Sequence, residues 1–327
     1  MKAVIVSQGT DASALTLQTV DKPVVGDGQV QIRVAGAGLN RADILQRQGK
    51  YNPPTDAPDV LGLEVSGIIK DVGPGVQGFA VGDRVCALLA GGGYQTYAVA
   101  DAGLCLKVPD EVDLLDASGL PEALFTVYAN VYDIGGLQKG QRVLFHGGNS
   151  GISSIGIQMA CATGAKVFAT ARGADNVAFA EKLGATVVNT ESGSFADEVL
   201  AQTQGKGVNV ILDMVGGDYV AQNLACLAMD GVVTNIATAQ GPKVEISFRH
   251  IMAKRARLSG SFLRARPLAE KERLAMEIKE HIWPFVASGQ IAPVTDRIFP
   301  AAKAAAAHAY FEEGQHKGKV LLDFRDS

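Results

Sequence analysis

Short apolar runs punctuated by turn residues dominate the first third of the chain. KAVIV, QVQIRVA, VSGIIKDV, DRVCALL and YQTYAVA have strand length, and GDGQ, GPGVQG and AGGGY between them carry turn chemistry. Only LNRADILQRQG has the look of a helical turn there, which predicts an antiparallel barrel or folded sheet. From about residue 121 the pattern changes. QRVLFH, KVFATA, ATVVN, VNVILDMV and VVTNIA are continuous apolar runs, as strands buried on both faces are. Helix-like GISSIGIQMACATG, ADNVAFAEKLG, SFADEVLAQTQG and DYVAQNLACLAMD alternate with them, and each strand–helix pair occupies roughly 20–30 residues. This alternation predicts an α/β domain with a doubly wound parallel sheet. The tail, from KERLAMEIKEHIWPFVASGQ to KGKVLLDF, reads as an amphipathic helix, an Ala-rich helix and a strand that return to the first domain.

Composition narrows the class. At about 150 residues per domain, 327 residues suffice for two domains with separate cores. Hydrophobic residues at 47% and charged residues at 20% exclude a disordered chain. A formal net charge of −4 argues against a nucleic-acid surface. Cys86, Cys105, Cys161 and Cys226 lie far apart without a CxxC pair, which predicts reduced, mostly buried thiols rather than a zinc ribbon or a disulfide framework. With no leader-like start and no long apolar run, the expected setting is cytoplasmic, away from membranes. The histidines have no metal-ligand spacing, and neither a GxSxG elbow nor a Walker loop occurs.

The candidate chemistry begins at VLFHGGNSGISSIGIQ, a strand, a tight loop and a helix. Small residues there let backbone amides approach a pyrophosphate at the helix N-terminus, where the dipole favours an anion. The G-x-G-x-x-G fingerprint falls on Gly148, Ser150 and Ser153, so two glycines are serine. By pattern alone the loop is either a nucleotide site or a close-packed turn; its place at the first strand of the β/α run favours the nucleotide. An NAD site places a carboxylate at the end of the second strand, about 20 residues on. Here KVFATARG ends in Ala171, Arg172 and Gly173. Arg172 is either a surface arginine or the fork that pairs a 2′-phosphate, which would select NADPH.

LNRADILQRQGKY, VLGLEVSGIIKDVGPGV, LPEALFTVY, FHGGNSGISSIGIQ, AEKLGA, LDMVGG and HKGKVLLDF together resemble the zinc-independent quinone oxidoreductases of the medium-chain dehydrogenase/reductase superfamily. NRADILQRQGKYNPP and PEALFT are most similar to the tumour-suppressor-induced subgroup. The resemblance implies a GroES-like catalytic domain (1–121 and 266–327), a Rossmann domain (122–265) and NADPH in the cleft between them. Zinc alcohol dehydrogenases of the superfamily hold zinc with Cys, His and Cys; the matching positions here are Asn40, Leu63 and Glu122, a poor set for zinc. Without that Lewis acid, acceptors that need less activation fit better than alcohols.

By family position Asn40 lies near the nicotinamide and Tyr51 reaches into the substrate cleft as the oxyanion donor; these are the catalytic candidates. Asp43 is expected to hold Arg41 or local amides. For the cofactor, Thr126, Ser150, Gly151, Ile152 and Ser153 would surround pyrophosphate or nicotinamide. Val215 and Ala237 follow the fourth and fifth strands, and Phe262 and Leu263 would meet the nicotinamide amide with backbone. Lys319 would contact pyrophosphate. The family's 2′-phosphate Lys and Tyr are replaced by Asn176 and Thr190, and Ser153 threatens to crowd the phosphate turn. The expected function is NADPH-dependent reduction of quinones by a homodimer paired through RLSGSFL. The alternatives are reduction of conjugated C=C bonds in enones or alkenals, and an NADPH-binding protein with little turnover.

Overall fold

The computed structural model describes residues 1–191 and 193–327. They divide into two compact units, Met1–Phe125 with Arg264–Ser327, and Thr126–Leu263. In the first, β1 (Lys2–Val6) and β2 (Leu15–Thr19) form an antiparallel ribbon. A larger sheet is assembled from β3 (Gln29–Gly38), β4 (Glu64–Val72), β5 (Arg84–Leu88), β6 (Tyr97–Asp101) and β7 (Cys105–Lys107), with β3 pairing both β4 and β6. Alternation along these strands turns Val30, Ile32, Val34, Val65, Ile69 and Val85 into one apolar core. Each such side chain contributes about 1.5–3 kcal/mol on full burial. The helix α1 (Arg41–Arg47) follows β3, and α2 (Pro121–Val127) ends this stretch.

The second unit carries the parallel sheet. Its strands are β8 (Arg142–Phe145), β9 (Lys166–Ala171), β10 (Thr186–Asn189), β11 (Val208–Asp213), β12 (Leu227–Asn235) and β13 (Arg257–Gly260). The order is β10-β9-β8-β11-β12-β13 with every pair parallel, so the strand order reverses between β8 and β11. Ligands bind such sheets beyond the carboxyl ends of the strands at that reversal. The connecting helices are α3 (Gly151–Ala162), α4 (Ala174–Lys182), α5 (Phe195–Gln202), α6 (Tyr219–Cys226) and α7 (Phe248–Lys254). The expected α/β class and doubly wound sheet are present. One boundary differs: DYVAQNLACLAMD is helical only to Cys226, and Leu227 already pairs with Val208 in β12. A bulge follows, with Asp230 at φ 60°, so burial beside β11 overrides the local helical spacing.

The tail returns to the first unit as α8 (Leu268–His281), α9 (Trp283–Ala287), β14 (Thr295–Pro300), α10 (Ala304–Glu313) and β15 (Lys319–Asp323). β15 enters the large sheet antiparallel to β3, which brings Lys319 against the start of α1. β14, parallel to β15 at the sheet edge, has no counterpart in the hydrophobic pattern because four of its six residues are exposed.

Candidate functional site

In the first unit, the end of β3 delivers Asn40 as the residue before α1, and its backbone N–H donates to Asp43 Oδ2 at 2.9 Å. Asp43 Oδ1 accepts the Gly62 amide at 3.0 Å and Oδ2 also accepts the Tyr94 hydroxyl at 3.1 Å. Asp43 therefore holds amides and a hydroxyl. Burial raises its carboxyl to about 6. Gly62 sits at φ +103°, and a Cβ there would come within 2.7 Å of Gly93 Cα, so only glycine fits this crossing.

Asn40 does not stand alone. Its Nδ2 donates to Glu64 Oε1 at 2.9 Å, and its Oδ1 accepts the Lys319 ammonium at 2.8 Å. Lys319 Nζ also lies 2.5 Å from Glu64 Oε1 and 3.2 Å from Leu39 O. Glu64 is completely buried, and its Oε2 accepts the Glu122 amide at 2.9 Å. Gly38 makes room for this carboxylate, since a Cβ there would collide with Glu64 Oε1. Lys319, expected at the pyrophosphate, is 4% exposed, and its ammonium is bonded to three oxygens inside the first unit.

The same geometry speaks to zinc. Leu63 is buried hydrocarbon, the Asn40 oxygen is held by an ammonium, and a second cation there would be repelled. The residues do not fit a catalytic zinc. Glu122 is the third member of that set, and burial followed by the neighbouring Glu64 carboxylate raises its carboxyl to about 8. A carboxyl raised in the folded state is most stabilising while protonated in both states, below about 4.5, and loses that contribution as pH rises through about 8. Glu122→Gln is therefore expected to flatten the decline of the thermal midpoint between about pH 5 and about pH 8. Thermal melts at several pH values check this, and an unchanged slope would assign the decline to other groups such as Asp43.

Tyr51 is half-buried, with the Arg264 guanidinium 5.6 Å from its ring centroid. Burial raises its phenol, which keeps the hydroxyl a donor at neutral pH. Arg264 was not singled out by the sequence; its Nε donates to Ala90 O and its Nη1 to Gln46 Oε1, both at 2.7 Å.

In the second unit the loop after β8 places Gly147 at φ +65° and starts α3 at Ser150, whose Oγ accepts the Ser153 amide at 3.1 Å. The first-turn amides of Gly151 and Ile152 have no intrahelical acceptor, as at any helix start, and suit an anion. Ser153 is buried, and its hydroxyl donates to His146 O at 2.9 Å, just past the end of β8. His146 is a packed residue, bonded through Nδ1 to Thr170 and through Nε2 to Asn223. Asp213 shapes the loop after β11 by accepting the Val215 and Gly216 amides at 2.7 and 3.0 Å. Ala237 lies exposed just past β12, at the same carboxyl edge.

Thr126 is buried, and its carbonyl accepts Asn130 Nδ2 at 2.8 Å. Asn130 Oδ1 in turn accepts the Ser261 hydroxyl at 2.9 Å, which ties Thr126 to the segment of Phe262 and Leu263. Of that pair Leu263 is buried and Phe262 is 68% exposed. Arg172, beyond β9, is 82% exposed in its side chain. A carboxylate does reach it: Glu191, from after β10, lies 3.6 Å from its Nε. Asn176 Nδ2 donates to Arg172 O at 2.9 Å, and Thr190 packs on Ala171 O, so both brace this turn.

Family models match both units: an "Alcohol dehydrogenase GroES-like domain" over residues 26–110 and a "Zinc-binding dehydrogenase" over 151–280. A 2-haloacrylate reductase from Burkholderia sp is 31% identical over 307 residues, covering 91% of either chain. Quinone oxidoreductase from Rattus norvegicus is 29% identical over 326 residues, 98% of this chain and 97% of that one. The chain also matches larger proteins: it spans 15% of a mycocerosic acid synthase-like polyketide synthase from Mycobacterium tuberculosis, at 27% identity. Among solved structures, Escherichia coli quinone oxidoreductase complexed with NADPH superposes with TM-score 0.87 at 25% identity, covering 99% and 100% of the two chains. The CurK enoyl reductase gives TM-score 0.86 at 25% identity, covering 98% of each. The chain belongs to the medium-chain dehydrogenase/reductase superfamily, in its quinone oxidoreductase-like group.

Proposed function

We propose that this chain is an NADPH-dependent, zinc-independent reductase of quinones, with residues 1–121 and 266–327 as the catalytic domain and 122–265 as the cofactor domain. The observation that carries the reading is the Lys319 ammonium between Asn40 Oδ1 and Glu64 Oε1, where an alcohol dehydrogenase would need metal ligands. NADPH is the cofactor of this reading. The α3 N-terminus offers amides to its pyrophosphate, Arg172 offers a guanidinium to its 2′-phosphate, and the Escherichia coli neighbour is an NADPH complex. Thr126, Val215, Ala237, Phe262 and Leu263 complete the set of residues assigned to it. When bound, NADPH supplies a hydride.

The chain's own contribution is placement and charge stabilisation. Asn40, locked by Glu64 and Lys319, is a fixed amide, and Tyr51 is a protonated hydroxyl for the acceptor oxygen. Tyr51→Phe is expected to lower kcat with quinones about tenfold while the Kd for NADPH stays within a factor of two. Steady-state rates with parallel NADPH titrations check it, and unchanged turnover would remove Tyr51 from the mechanism.

A second reading, reduction of a conjugated C=C bond, draws on the likeness to the 2-haloacrylate reductase and the enoyl reductase. NADPH oxidation with an ortho-quinone and a simple alkenal in parallel separates the two. A kcat/KM at least tenfold higher for the quinone is expected, and the reverse order would move the assignment to the C=C bond. The reading includes a cytoplasmic homodimer. β13 is an edge strand with Leu258 exposed on it, Phe248 and Met252 are exposed on α7, and Cys86, Cys105 and Cys226 are buried free thiols.

A further inference from the structure

Arg264 presents an unusual state for a buried cation. The residue is 6% exposed, yet no carboxylate pairs with it among the described residues; its two recorded acceptors, Ala90 O and Gln46 Oε1, are neutral. They fix the guanidinium plane from two sides. The third arm, Nη2, is buried and has no hydrogen-bond partner among the described residues. A buried donor left unmade costs about 1–3 kcal/mol, more for a charged group, so an orphan of this kind in a clamped side chain calls for an acceptor. The Tyr51 ring lies beside it, and Gly91 flanks it without a side chain; a Cβ on Gly91 would stand 3.4 Å from Nη2.

We infer that Arg264 Nη2 is the docking point for the conjugated oxygen of the acceptor, with Tyr51 as its neighbour. The ligand class is a compound whose reducible bond is conjugated to a carbonyl oxygen, such as a quinone, an enone or an enal. This rests on the reductase reading above and deepens it by naming the residue that recognises the acceptor. When a hydride reaches the conjugated carbon, the displaced π pair settles on that oxygen, and one proton from solvent then completes the two-electron reduction. A fixed guanidinium facing the oxygen stabilises the negative charge where it develops. Lysine cannot reproduce this: the two anchoring bonds and the free arm need a planar fork.

The test needs no turnover. 4-(Dimethylamino)cinnamaldehyde absorbs further to the red when its carbonyl oxygen is polarised, so its spectrum is read in the presence of the NADPH-free protein. The wild type is expected to shift the band to the red. Arg264→Gln should abolish the shift, and Arg264→Lys should retain only part of it. Steady-state kinetics on the same variants should show kcat/KM for the enal falling at least tenfold with the Kd for NADPH unchanged. Because Arg264 also anchors Ala90 and Gln46, thermal melts accompany each variant, and added guanidinium chloride at low millimolar concentration should restore part of the lost turnover in Arg264→Ala. A red shift that survives Arg264→Gln, or a wild type that reduces the enal without shifting the band, overturns the assignment of Arg264. A wild type that shifts the band yet oxidises no NADPH when offered a quinone, an enone or an enal overturns the reductase reading instead.

Discussion

Replacing Lys319 by methionine is expected to lower the thermal midpoint by roughly 10 °C, at about 2–4 °C per kcal/mol. The side chain is 4% exposed and its ammonium is bonded to Glu64, Asn40 and Leu39. Methionine fills a similar volume, so the loss is electrostatic. The Glu64 carboxylate stays fully buried, and among the described residues the Asn40 amide and the Glu122 backbone N–H are left to answer its charge. Removing one partner of such a pair costs about 3–5 kcal/mol, because the other charge remains buried. Replacing both partners with neutral groups removes that penalty, so Glu64→Gln combined with Lys319→Met should recover most of the lost stability. A single variant that melts within about 2 °C of the wild type would mean that the pair adds little to folding.

Arg172→Ala is expected to raise the KM for NADPH by about 10–100-fold while changing that for NADH less than threefold. A charge-assisted contact to phosphate is worth about 1.5–3 kcal/mol, and NADH lacks the group it would bind. The arginine lies at the end of β9, largely exposed, with Glu191 3.6 Å from Nε. That carboxylate competes with a phosphate for the same guanidinium. Glu191→Gln should therefore lower the KM for NADPH a few-fold, most visibly at low ionic strength. Equal changes for the two cofactors in Arg172→Ala would sink the 2′-phosphate assignment.

The chain announces its two architectures through burial. Strands covered on both faces read as continuous apolar runs, and the half-covered strands of the β-rich part alternate, so β3, β4, β8 and β9 were legible directly. β14 was not, because an edge strand ending in proline with Asp296, Arg297 and Ile298 exposed carries no such signal. The helix-to-strand boundary at Leu227 was hidden because its pairing with Val208 decides the conformation. At the candidate site, Asn40, Tyr51 and the loop of Ser150–Ser153 were found through family likeness and local motif. Arg264 and Glu64 were passed over because their roles come from partners remote in sequence. Glu64 meets Lys319 across 255 residues, and Arg264 meets Gln46 across 218. A glutamate inside the apolar run VLGLEVSG was the one local sign, since a charge there must find a partner. The partners of Lys319 were hidden for the same reason: only the return of β15 to β3 shows what its ammonium touches.

The central claim, reduction by NADPH without a metal, is tested most directly by measuring NADPH oxidation with an ortho-quinone on exhaustively chelated protein, with bound zinc quantified by emission spectrometry. The rate should be the same before and after chelation, and added zinc should leave it unchanged or lower it. A rate that disappears on chelation and returns in proportion to bound zinc would contradict the claim, and with it the role given to the Asn40–Glu64–Lys319 cluster.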